Sequence, residues 1–255
     1  MKLIEKSKAA FTLVELAIVI VIIGLLVGGV LQGQELIAQA KIRAQIKQLQ
    51  AYDAAGITFK SKYGHIAGDL PVALATSIGL DQPNTTYAGN GRLEDYLGNV
   101  PPVHANHEPW RSLWHLHKKG LIKAQMTNTP ISDFSIGVYF PSADIGKGGV
   151  CIVSMRDGLY YFLGPSERNV GYQTPFTISS ANPFLTPTEA FSIDQKLDDG
   201  VPSQGIVRAV IVTDTSSTNF SNDTEIDNCL GATNASYNFA NDTNRCRLVV
   251  KSSLN

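Results

Sequence analysis

The chain has 255 residues, 44% of them hydrophobic and 17% charged, with a formal net charge of −1. That balance gives no overall electrostatic argument for nucleic-acid binding. No internal repeat is evident, and after the N-terminal apolar run about 220 residues remain, enough for one soluble domain with its own core or one domain with a large insertion.

The chain opens with MKLIEKSKAA, in which Lys2, Lys6 and Lys8 outnumber Glu5. Residues 11–31, FTLVELAIVIVIIGLLVGGVL, follow as an apolar run interrupted by one acid, Glu15. At about 1.5 Å per residue this run is roughly 30 Å long, the thickness of a bilayer core, and the preceding lysines keep its N-terminal side cytoplasmic. A secretory signal would place its cleavage site after the apolar region. Here the small residues Ala9 and Ala10 precede it, so a cut after Ala10 leaves the segment on the mature protein. Losing three Lys and one Glu with the leader takes the formal charge from −1 to −3. A carboxylate inside such a segment costs about 2.5 to 3.5 kcal/mol at its centre, which marks Glu15 as functional.

A small residue, a cut, Phe-Thr-Leu-Val-Glu and an unbroken apolar helix resemble the N-terminus of type IV pilins and of the pilin-like subunits of type II secretion systems. The resemblance implies cleavage between Ala10 and Phe11 by a prepilin peptidase, N-methylation of Phe11, and a subunit-assembly role in which Glu15 meets the Phe11 amine of a neighbour. Where that family usually has Gly before the cut, this chain has Ala10. The function implied is structural: a major or minor pilin, or a pseudopilin. It would be stored in bacterial inner-membrane lipid with its head exported, then assembled with other pilin-like subunits on an inner-membrane platform into a surface pilus or a periplasmic pseudopilus. The alternative is a membrane-tethered exported binding domain or enzyme using a pilin-like anchor. A plain anchor would let Glu15 snorkel to the headgroups.

Beyond residue 31, Ile42, Ile46, Leu49, Tyr52, Gly56, Phe59 and Tyr63 step by three or four, one stripe on a helical period. The fold class expected is therefore α+β. A long N-terminal helix, 11–31 in the membrane and 32–63 amphipathic, packs on an antiparallel sheet in a head of residues 64–255. Gly28, Gly29 and Gly33 are weak points of the helix, each costing about 1 kcal/mol.

Residues 64–108 are rich in Gly, Pro and Asn and read as a long loop region with short structured pieces. Within it YGHIAGDLP resembles the Tyr-x-x-Leu-Pro-Gly-Asp-x-Pro stretch of many prepilin-like proteins. Residues 110–119 suggest an amphipathic helix stopped by Gly120, with Trp110, Leu113, Trp114 and His117 on one face. Residues 136–140 suggest a short strand. Residues 150–155 and 159–163 flank Asp157-Gly158 as a hairpin. Thr186-Pro187-Thr188-Glu189 is a capping box, predicting a helix to about Leu197 that Asp198-Asp199-Gly200 ends. Strands are expected over 206–213 and 247–250. FSIDQKLDDGVPSQG also resembles a stretch toward the C-terminus of prepilin-like proteins.

Cys229 and Cys246 enclose 16 polar, turn-rich residues, a loop that a disulfide would stabilise by about 3 kcal/mol. Cys151, inside VCIVSM, reads as a buried thiol outside that pair. His104, His107, His115 and His117 lack the spacing of the helical zinc motifs, so they read as loop and helix-surface residues. Asp223, Glu225 and Asp227 alternate as calcium ligands do, but the Gly and closing Glu of the EF-hand pattern are missing, so no cofactor is assigned beyond these calcium candidates. No catalytic constellation or nucleotide fingerprint is present, and no enzyme activity is expected.

Overall fold

The structure is a computed structural model that describes residues 12–81, 88–93, 108–126, 140–155, 158–164, 184–209, 229–231, 235–240 and 246–254. It divides into two compact units, Met1–Lys41 and Ile42–Asn255. One helix, α1 (Leu13–Tyr63), runs through the boundary without a break. No proline falls within it, and Gly28, Gly29 and Gly33 are all helical. It stops where Gly64 turns to φ 74°, a left-handed conformation that glycine adopts without steric cost. Lys60 and Lys62 in its last turn complement the negative end of the helix dipole.

In the second unit, the stretch of α1 from Ile42 onward buries Ile42, Gln45, Leu49, Tyr52, Ala55, Gly56 and Phe59. Ile46 and Tyr63 of the expected stripe are partly buried against the same core. The polar residues of this face reach the head directly. Gln48 donates to the Ser142 carbonyl at 2.7 Å, and the Gln45 side-chain oxygen accepts from the Ile145 N–H at 3.2 Å. Asp53 accepts from the hydroxyls of Tyr161, Ser252 and Ser253 at 2.9, 2.7 and 2.9 Å, tying α1 to the sheet and to the chain's last residues.

The sheet contains β1 (Gly149–Met155), β2 (Gly158–Gly164), β3 (Val207–Ala209) and β4 (Leu248–Lys251) in the order β1-β2-β4-β3, antiparallel throughout. The β1–β2 hairpin forms where expected, but Met155 pairs with Gly158. The loop positions are thus 156 and 157, outside the described residues, and Gly158 opens β2 at φ 137°. Of the strand expected at 206–213, residues 207–209 are described as β3. Residues 136–139 lie outside the described set, while Phe140 is buried.

The second unit has three further helices, in chain order α2 (Val72–Ser77), α3 (Glu108–Lys118), which packs on β1, and α4 (Pro187–Leu197), which packs on β3. The sequence reading of 64–108 did not single out α2, six residues entered directly after Pro71. In α3 Pro109 lies in the first turn, where a missing N–H leaves no bond unmade. The helix is not a surface helix with one apolar face. Arg111, Ser112, Leu113, Trp114, His115 and Leu116 are buried in succession, which corrects the expectation that His115 lies on a helix surface. His117 is partly exposed and lies against Trp114, ring centroids 5.6 Å apart. The capping box of α4 is complete: the Thr186 hydroxyl accepts from the Glu189 N–H at 3.1 Å, and the Glu189 carboxylate accepts from the Thr186 N–H at 2.9 Å.

Candidate functional site

In the first unit every large apolar side chain from Leu13 to Leu31 that the helix carries is exposed. This is the one helix among the described residues that is long and apolar enough to cross a membrane. An uncovered apolar surface of this length in water would be a liability, one that lipid or another helix would relieve. Its acid does not stand alone. The Glu15 carboxylate accepts from the Thr12 N–H at 2.8 Å and from the Thr12 hydroxyl at 3.0 Å, while that hydroxyl accepts from the Glu15 N–H at 3.2 Å. Thr12-Leu13-Val14-Glu15 is therefore a capping box, and it places a carboxylate at the positive end of the helix dipole. The sequence reading of Glu15 passed over this, although the T-x-x-E spacing is the same one it used at Thr186. Ala10 and Phe11, the expected cleavage and methylation positions, lie outside the described residues.

Compared with protein families, the N-terminus gives a specific result. Residues 6–31 match the prokaryotic N-terminal methylation motif. The match covers the end of the expected leader, the expected cleavage position and the whole apolar run, and this motif is the prepilin signal of type IV pilins and pseudopilins. The chain thus carries the signal of a type IV pilin-like precursor, and an apolar helix behind that signal is consistent with membrane anchoring. The methylation motif goes in general with association among pilin-like subunits and with prepilin peptidase, and with structural rather than enzymatic proteins. No curated protein and no solved structure significantly matches the chain.

The head's candidate sites resolve into structural roles where they are described. Cys229 and Cys246 form the expected disulfide. Both are buried, and Cys246 bridges Leu185 at the entry to α4, so the linkage fixes the loop beside that helix. Cys151 is buried in β1 and takes no part in it. Asp223, Glu225 and Asp227, with His104 and His107, lie outside the described residues.

A different acidic group comes together at Asp194, Asp198 and Asp199, within the FSIDQKLDDGVPSQG stretch. Their oxygens already accept from the protein. Asp194 takes the Tyr237 hydroxyl at 2.8 Å and the Gly200 N–H at 3.1 Å; Asp198 takes the N–H groups of Ile206 and Val207; Asp199 takes the Val201 N–H at 2.8 Å. Burial pushes the Asp194 carboxyl up, the opposite of what a cation ligand needs. A Cβ at Gly205, where φ is 83°, would run into the Asp198 carboxylate, so the closing glycine of the stretch is required for the turn. These acids fold the α4–β3 loop.

The YGHIAGDLP stretch has a comparable explanation. Asp69 is buried and its carboxylate accepts from the backbone N–H groups of Gly89, Asn90 and Gly91, the last two at 3.1 and 2.6 Å. Gly68 sits at φ 95°, where a Cβ would collide with the Glu108 carbonyl. The pair thus seats one loop on another.

Proposed function

We propose that this protein is a structural subunit of a pilin-like filament, a pilus or a secretion pseudopilus. It is stored in the inner membrane with its head exported, cut after Ala10 by prepilin peptidase, methylated at Phe11 and drawn into the filament by its N-terminal helix. The observation that carries this reading is the methylation motif of residues 6–31 lying on an apolar helix that the chain leaves uncovered.

The Thr12 box gives the proposal a physical sequence of events. Before assembly, Glu15 is satisfied within its own chain by the Thr12 N–H and hydroxyl. Cleavage creates an ammonium on Phe11. In an apolar filament core that ammonium needs a counter-charge, and the Glu15 carboxylate of the adjoining subunit supplies it. Intact-mass analysis and N-terminal sequencing of the membrane fraction test the processing step. The expected species begins at N-methylated Phe11; a mature chain that begins at Met1, or one cut beyond the apolar run, would overturn the reading.

A further inference from the structure

His115 is fully buried in α3, and both ring nitrogens bond to backbone groups of the stretch that carries α2. The Gly68 N–H donates to Nδ1 at 3.0 Å, so that nitrogen holds a lone pair and the proton sits on Nε2, which donates to the Asp81 carbonyl at 3.0 Å. One neutral imidazole therefore joins the two ends of residues 68–81. Between them Leu70, Ala75 and Leu80 are buried in the core. The far end has additional ties: Arg111 donates to the Asp81 carbonyl at 2.7 Å and to its carboxylate at 3.1 Å, the Trp114 indole N–H donates to that carboxylate at 3.1 Å, and the Lys119 ammonium, just past α3, donates to the Ile78 carbonyl.

We propose that His115 is an acid-operated clasp: protonating Nδ1 frees residues 68–77 from α3 and uncovers Leu70 and Ala75, while Ile78 stays held by Lys119 and Asp81 by Arg111 and Trp114. The reason is geometric. A protonated Nδ1 presents an N–H to the Gly68 N–H, and two donors cannot bond. Among the described residues the charged groups facing the ring are Arg111 of α3 and Lys119 just past its end, which repel a cation, and Asp81, whose carboxylate Arg111 and Trp114 already engage. From α1 the ring meets the face of Phe59, centroids 6.4 Å apart, which offers no acceptor. Burial first, with Arg111 and Lys119 adding to it against the pull of Asp81, brings the imidazole from its ordinary 6.5 down to about 4. The opened segment leaves the ring in water, where it takes up a proton near the ordinary value, so opening is favoured as pH falls between the two.

The test uses the full chain in detergent micelles. Hydrogen exchange of peptides spanning 68–77, corrected for the pH dependence of intrinsic exchange, is followed alongside the NMR titration of the His115 ring. Local opening should rise roughly 30-fold from about pH 8 to about pH 5, with β1 and β2 much less affected, and the ring should titrate far below its ordinary value. His115→Gln can accept from Gly68 and donate to Asp81 without titrating, and should flatten the response. Equal protection of 68–77 at both pH values, an equal rise across β1 and β2, or an ordinary ring titration would overturn the proposal. The two wild-type measurements decide it even where the variant fails to fold.

Discussion

At the scale of single residues, the head is held by polar side chains whose partners lie far away in the sequence. Asp69→Ala would leave three backbone donors at 89–91 without their acceptor. Two of the three lie near water, so the expected loss is about 2 kcal/mol rather than the sum of three buried bonds, read as a shift in denaturant midpoint. His115 gives the clearest pH dependence. Its pKa falls on folding, so its neutral form contributes stability that is whole above about pH 6.5 and is lost as pH drops toward about 4, a change of about 3 kcal/mol. The difference between wild-type and His115→Gln midpoints across that range measures it; a constant difference would contradict the assignment. None of this was legible locally. Spacing placed His115 on a helix, but its burial depends on Gly68 and Asp81, and nothing in the sequence around Asp69 points to residues 89–91. The Thr12–Glu15 box was legible, and a functional reading of Glu15 obscured it.

At the scale of elements, legibility follows how local the determining chemistry is. The helix from Leu13 to Tyr63 follows from an unbroken period and a terminal glycine, the hairpin from two apolar runs with a glycine between, and α4 from its capping box. Helix α2 is six residues long after a proline, too short for a period to show, and is kept by the burial of Ala75, with Leu74 and Ile78 packed partly against the core. Helix α3 was placed along the chain but its surroundings were not, because His115 reads as surface-facing until its partners Gly68 and Asp81 are seen. Two measurements follow. Thr186→Ala removes the acceptor for the Glu189 N–H and should cost about 1 kcal/mol. The double variant Cys229→Ser, Cys246→Ser should cost about 3 kcal/mol in thermal or denaturant unfolding, and non-reducing peptide maps of the parent protein should show that one linkage without Cys151. A Cys151-linked peptide as the main species would contradict the structure.

At the scale of the whole molecule, the two units answer to different surroundings. The second unit, from Ile42 onward, closes a core of its own, whereas the described helix up to Lys41 exposes its apolar residues and keeps the Glu15 carboxylate capped at its start. A cap explains why an acid is tolerated there but not why the helix is left uncovered, and the proposed assembly would account for both. The cap seen at Glu15 and the assembly role proposed for it separate by substitution. Glu15→Gln preserves the capping box, since an amide oxygen also accepts from the Thr12 N–H, and removes only the charge. Breaking a buried ion pair in this way costs about 3 to 5 kcal/mol, enough to lower incorporation by orders of magnitude. The deciding measurement compares leader cleavage, membrane level and incorporation into filaments or secretion output for wild type and Glu15→Gln in the same cells. The account predicts unchanged cleavage and membrane level with incorporation strongly reduced; unchanged incorporation would mean that Glu15 serves the helix cap alone and would contradict the charge-paired assembly of this chain.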